Sequence, residues 1–256
     1  MGALRIDLNA DVGEGFGAWS MGADEALLEH VTSANVACGF HAGDPSVIER
    51  TVACAARARV AIGAHPSYFD LRGFGRREMR VPASEVEADV VYQVGALQAF
   101  ARAHGAPLTH VKPHGALYNQ AADDAELALS IARGVARVDR SLVLVGLAGS
   151  LAMREAASVS GLRFAAEAFV DRAYDAQGRL VPRSRPGAVT SDPAAAAAAA
   201  LRLVRERAVV SIEGHEIAVL ADTLCLHGDN PRALDVARSV RAALAGAGVS
   251  VQALSH

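Results

Sequence analysis

Four of the nine histidines, His41, His65, His114 and His227, each stand at the end of a different short apolar run, with Gly or Pro close behind. Imidazole titrates near neutral pH and binds metals, so such a set suits proton transfer or ligation. Taken singly, each would read as a loop histidine tied to backbone; four on one rim read as a shared site. Among 25 basic residues only Lys112 is lysine. It offers a compact ammonium with a movable pKa, which guanidinium cannot supply. Chance retention of one lysine is the plainer account, and the residues around Lys112 weigh against it. Carboxylates Asp11 and Glu14 fall in the glycine-rich NADVGEGFG, where a merely solvated loop is the alternative. Asn9, Asn35, Glu167 and Asp229 occupy comparable places after other apolar runs. Arg76 and Arg172 lie in long polar loops; GFGRRE (73–78) reads as a clamp for carboxylate or phosphate rather than a solvated basic surface.

The elements that must hold these groups follow from apolar patterning. Strands are expected at 3–9, 33–38, 59–64, 108–112, 141–147, 162–167 and 222–227, with a last one at 249–253. Several are apolar on both faces, as in a buried parallel sheet. Helices are expected from Asp24, from Asp44–Pro45, from a Ser84/Glu87 capping box, from Asp192–Pro193 and from Asn230–Pro231, the last ending near Gly248. Val86, Val90, Val94 and Leu97 recur at helical spacing. The alanine run to Ala200 is a helix of strong formers without a chemical role. AVVSIEGHEIAVL (208–220) reads as a hairpin turning at Glu213–Gly214. Strands alternating with helices over 256 residues give βα units in one domain, 1–256, closing as a (β/α) barrel or opening as a doubly wound sheet. Either way, the chemistry belongs at the carboxyl ends of the strands. CGFHAGDP (38–45) and CLHGDNP (225–231) echo one another, as one local task solved twice.

Composition removes whole classes. A net charge of −3 gives no case for nucleic acid or an anionic membrane as partner. No stretch reaches bilayer-spanning length, and the N-terminal residues do not read as a signal peptide. Three cysteines without C-x-x-C spacing imply neither disulfides nor a zinc–cysteine site, so a cytoplasmic location is expected. Cys38 and Cys225 read as buried thiols. There is no P-loop and no G-x-S-x-G elbow. GEGFGA matches a dinucleotide fingerprint only formally, since no helix opens until about Asp24.

DLNADVGEGFG (7–17), TSANVACGFHAGDP (32–45), IGAHPSYFDLRGFGRR (62–77), VYQVGAL (91–97), HVKPHGALYN (110–119), EAFVDRAYDAQGRLVPRSRPGAV (167–189) and CLHGDNPRA (225–233) together resemble the LamB/YcsF family, the A subunits of 5-oxoprolinase, over nearly the whole chain. Departures are small: Ala10, Val12, Ser67 and Phe69. The resemblance implies a (β/α)7-type TIM-like barrel like those of the glycoside hydrolase/deacetylase superfamily. It also implies ATP-dependent opening of 5-oxo-L-proline to L-glutamate, with ATP as co-substrate and subunits B and C as partners. Self-association and metal content stay open. Within that chemistry Lys112 is expected to stabilise charge, Asp11 or Glu167 to act as base, and His114 and His41 to move protons. Asn9, Glu14, Asn35, His65, Arg76, Arg172, His227 and Asp229 are expected to bind substrate. Two rivals stand beside it. One is a metal-dependent deacetylase or carbohydrate hydrolase with ligands drawn from Asp11, His41, His65 and His114. The other is a non-catalytic ligand-binding subunit.

Overall fold

The computed structural model describes residues 4–227 and 232–254. In chain order the elements are β1 (Arg5–Val12), α1 (Asp24–Leu28), β2 (Ser33–Ala37), α2 (Pro45–Ala58), β3 (Ala61–His65), α3 (Ala83–Ala103), β4 (Leu108–Val111), α4 (Gly115–Ala121), α5 (Ala125–Val138), β5 (Val143–Leu147), α6 (Leu151–Val159), β6 (Arg163–Phe169), α7 (Pro193–Arg205), β7 (Ala208–Val210), β8 (Glu216–Ala218), β9 (Thr223–His227), α8 (Ala233–Gly246) and β10 (Ser250–Val251). Seven parallel strands pair in the order β1-β2-β3-β4-β5-β6-β9, and β9 returns to β1, so the sheet closes. The result is a (β/α)7 barrel. β10 adds outside β1, at Arg5 and Ile6. β7 and β8 form the expected antiparallel hairpin, turning through Gly214 at φ 88°.

Side-chain caps explain several helix starts. Asp44 accepts from the Ser46 and Val47 amides ahead of Pro45, and Asp192 accepts from Ala194 ahead of Pro193. The Ser84/Glu87 capping box does not form. α3 begins at Ala83 behind Pro82, so Ser84 already lies inside the first turn and no side chain caps the helix. Its apolar stripe is as expected, with Val86, Val90, Val94 and Leu97 buried. The expected start of the last helix at Asn230–Pro231 lies outside the described residues, and Gly248 follows its end at φ 72°.

The apolar core is the layer between barrel and helices: Leu8, Val36, Ile62, Val111 and Leu144 from the strands meet Val52, Val94, Ile131 and Val240. The barrel's inside is mostly polar. Side chains alternate across a strand, so Asp7, Asn9 and Asp11 climb the inner wall of β1 opposite Thr223, Cys225 and His227 of β9. Asp7 accepts from Thr32, Ser33 and Thr223 at the floor. One layer up, Asn9 donates to Thr223, and Asn35 donates to both Asn9 and Asp11. His110 Nε2 reaches Asn35 Oδ1 at 2.9 Å, across Gly63. A Cβ at Gly63 would stand 2.1 Å from that nitrogen, so glycine makes room for the bridge. Among the described residues no helix is long and apolar enough to cross a membrane.

Candidate active site

Three strands run further at their carboxyl ends than apolar patterning suggests, β1 to Val12, β3 to His65 and β6 to Phe169, so Asp11 and His65, like Glu167 and His227, are strand residues. Their side chains therefore stand on rigid backbone at the carboxyl mouth of the barrel. Lys112, the first residue past β4, reaches across the interior. Its Nζ lies 2.9 Å from Asp11 Oδ1, 2.8 Å from Glu167 Oε1, 3.4 Å from Asn9 Oδ1 and 3.0 Å from Cys225 Sγ. Burial alone would pull the ammonium's pKa down; Asp11 foremost, with Glu167, overrides it and holds it well above the ordinary lysine value. For Asp11, burial pushes the other way, and His65 with Lys112 keeps the carboxyl well below its usual range. Lys112 is thus a fixed cation held against a fixed anion, Asp11, with the Glu167 carboxyl on its other side. Cys38 and Cys225 are buried, and burial drives both thiols up, Cys38 to about 12.

Three histidines gather beside this triad. The rings of His41 and His114 stack with centroids 3.8 Å apart, and His65 meets both edge-on. His65 Nδ1 lies 2.7 Å from the Lys112 carbonyl and its Nε2 3.4 Å from Asp11 Oδ2. His114 Nε2 lies 2.9 Å from the Phe74 carbonyl, which is presented by a residue at φ 55°. Glu14 Oε1 closes the group, 3.4 Å from His41 and 3.5 Å from His114. Burial, reinforced by neighbouring imidazoles, pushes His41 and His114 well below the ordinary histidine value. Gly75 seals the group. A Cβ there would meet His114 at 2.8 Å and His41 at 2.9 Å. His227 stands apart from the three, with Nδ1 held 2.9 Å from Asp171 and its ring stacked on Phe169.

Above Lys112 and Asp11 opens a cavity of about 660 Å³, walled by His65, His114, Tyr118, Phe169 and His227 and by arginines 76, 172, 179 and 183. Arg172 donates to the Val181 and Ala188 carbonyls, and burial with Arg183 nearby lowers it to about 10, still charged at neutral pH. The two arginines of GFGRRE part company. Arg76 faces the cavity over the Phe74 ring, whereas Arg77 pairs with Asp70. Asn9 and Asn35 lie a layer beneath, and Glu167 stands fully buried behind Lys112. Asp229 is outside the described residues. Patterning set Tyr118 after the Lys112 strand and read Cys225 as a buried thiol, giving neither a role; burial and Glu167 push the Tyr118 phenol well up, and Cys225 lies beside the ammonium. Arg183 on the wall carried no signal.

The LamB/YcsF family profile matches residues 6–256. The chain belongs to the LamB/YcsF family. A relative from Symbiobacterium thermophilum, named as the A subunit of 5-oxoprolinase, is 54% identical over 99% of this chain and 98% of its own. One of the same name from Bordetella pertussis is 55% identical over 97% and 98%. The crystal structure of the lactam utilization protein from Thermus thermophilus superposes with TM-score 0.92 at 52% identity, over 98% of this chain and all of that one. A putative cellobiose-phosphate cleavage protein from Enterococcus faecalis shares the fold alone, at TM-score 0.53 and 14% identity. This LamB/YcsF barrel therefore presents the Lys112 ammonium, the Asp11 carboxylate, the imidazoles of His65, His114 and His227 and a cationic wall to one cavity. That set can bind anions, stabilise developing negative charge and activate water.

Proposed function

We propose that this chain is the A subunit of an ATP-dependent 5-oxoprolinase, a hydrolase that opens 5-oxo-L-proline to L-glutamate. The observation that carries the reading is identity above 50% along the full chain to relatives of that name. The rival readings, a deacetylase and a bare binding subunit, gain nothing from those relatives.

The chemistry sets the tasks. An unactivated lactam is a poor electrophile. Transfer of the ATP γ-phosphoryl to the lactam oxygen releases ADP and makes the ring carbon electrophilic. Water then adds to that carbon, the C–N bond breaks with its electron pair and a proton going to nitrogen, and a second water releases phosphate from the resulting acyl phosphate. The transferred phosphoryl group carries negative charge on its oxygens throughout. In this reading Lys112 meets that charge. Asp11, the carboxylate exposed to the cavity, orients and deprotonates water. Glu167, Asn9 and Asn35 position Lys112 and Asp11 from behind. Arg172 and Arg76 take the substrate carboxylate or phosphate oxygens, with Arg183 beside them. His227, fixed by Asp171, presents Nε2 to the same space. The cavity is far larger than one five-membered lactam requires, which supports a nucleotide phosphate tail entering it, although no P-loop exists. The chain acts as one domain, in the cytoplasm, with subunits B and C.

The decisive assay is glutamate release from 5-oxoproline and ATP by the reconstituted subunits. Turnover is expected with this chain and none without it. Equal rates in both mixtures would overturn the assignment.

A further inference from the structure

The hydrogen atoms of the imidazole cluster do not add up unless a cation sits among them. A carbonyl oxygen only accepts, so His65 Nδ1, 2.7 Å from the Lys112 carbonyl, carries a hydrogen. His114 Nε2, 2.9 Å from the Phe74 carbonyl, carries one for the same reason. In neutral imidazoles the remaining nitrogens, His65 Nε2 and His114 Nδ1, are then bare. Those two nitrogens face each other at 3.0 Å. Two lone pairs at that distance repel unless a positive charge lies between them.

One added proton would bridge that pair but no more. His41, 1% exposed, has no hydrogen-bond partner on either ring nitrogen among the described residues, and its Nε2 points at Glu14 Oε1 from 3.4 Å. Glu14 Oε1 in turn stands 3.5 Å from the bare His114 Nδ1. One donor atom each from Glu14, His41, His65 and His114 lies within 4.8 Å of all the others. A tetrahedron with metal–ligand bonds of about 2.1 Å has edges of about 3.4 Å. The separations of 3.0, 3.4 and 3.5 Å match those edges. Backbone carbonyls that hold the outer N–H of His65 and His114 are the usual means of aiming a bare nitrogen at a metal.

We propose that Glu14, His41, His65 and His114 bind one divalent ion of the borderline transition series, with Zn²⁺ its representative. Three imidazoles and one carboxylate suit that class over Mg²⁺ or Ca²⁺, which favour oxygen. Asp11, 3.4 Å from His65 Nε2, is a further carboxylate beside the set. In the second cluster at the mouth, Asp11, Cys225 and His227, the first two already hold a cation, the Lys112 ammonium. The proposal does not depend on the oxoprolinase reading, because its test requires no turnover.

The full-length chain, stripped with a chelator and dialysed, is titrated with Zn²⁺ against a chromophoric competitor. One equivalent is expected to bind, and Glu14→Gln and His41→Asn are expected to weaken it at least roughly tenfold. Imidazole nitrogen NMR of the unmutated chain supplies a readout independent of any variant's folding. Zn²⁺ should shift His65 Nε2 and His114 Nδ1 while their partner nitrogens keep their hydrogens. Binding well below one equivalent, equal affinity in both variants, or a protonated His65–His114 pair that persists in Zn²⁺ would each overturn the proposal.

Discussion

Lys112 stands between two carboxylates that would repel each other in its absence. Asp11 and Glu167 both approach its Nζ within 3 Å, and Glu167 is fully buried. Truncating the ammonium therefore does two separable things. Removing one partner of a buried ionic set costs about 3–5 kcal/mol of stability. On the proposed chemistry, removing the cation that meets the phosphoryl charge is expected to cost at least about a hundredfold in turnover. Lys112→Met is expected to show both, read by urea unfolding and by glutamate release measured below its melting temperature. Near-normal turnover would remove Lys112 from the chemistry. That this residue stands apart was legible from composition, because arginine fills every other basic position. Which carboxylates it would meet was not legible. Strand patterning places a residue at one end of the barrel without saying which strands face each other across it. For the same reason four histidines read as one group. The fold gathers His41, His65 and His114 and sets His227 apart with Asp171.

At the scale of elements, the two kinds of glycine in this chain make opposite predictions. Gly63 lies in β3 where the ring of His110 crosses, and an added methyl would stand 2.1 Å from Nε2. Gly63→Ala must expel that ring from its bond to Asn35, and overpacking of this kind costs about 1–3 kcal/mol. Gly95 lies mid-way along α3 with nothing within 4 Å of the added position. There alanine only removes backbone freedom from the unfolded chain and gains roughly 0.5–1 kcal/mol. Urea midpoints of the two variants should move in opposite directions; a loss for Gly95→Ala or no change for Gly63→Ala would contradict the packing described. Elements of this kind were largely legible, since apolar runs, Asp–Pro starts and the 208–220 hairpin all carry local chemistry. The misses are local too. Pro82 starts α3 ahead of the Ser84 box, and polar Asp11 and His65 extend their strands, because an inward-facing residue in this barrel need not be apolar.

For the whole molecule, sequence patterning left a closed barrel and an open sheet as alternatives, because closure is a single long-range pairing, β1 with β9, that joins residues more than 200 positions apart. Closure makes an interior, and the chain fills it with a polar column from Asp7 at the floor to Lys112 at the mouth. That column has a signature in the pH dependence of stability. Burial raises the Asp7 carboxyl above its ordinary value of 3.8, against the lowering effect of three hydroxyl donors, Thr223, Thr32 and Ser33. A carboxyl with a raised pKa binds its proton more tightly folded than unfolded. The stability it contributes is therefore present at acid pH and lost as pH rises from about 3.8 through the folded value. Asn at this position keeps an acceptor and cannot ionise. The unfolding free energy of Asp7→Asn minus that of the unsubstituted chain, measured in urea from pH 4 to pH 7, should rise with pH and then level off. Taking the difference cancels the other titrating groups common to both chains. A difference that stays constant across the range would mean that Asp7 titrates in the folded barrel as it does in water, and that the floor of the barrel is wet.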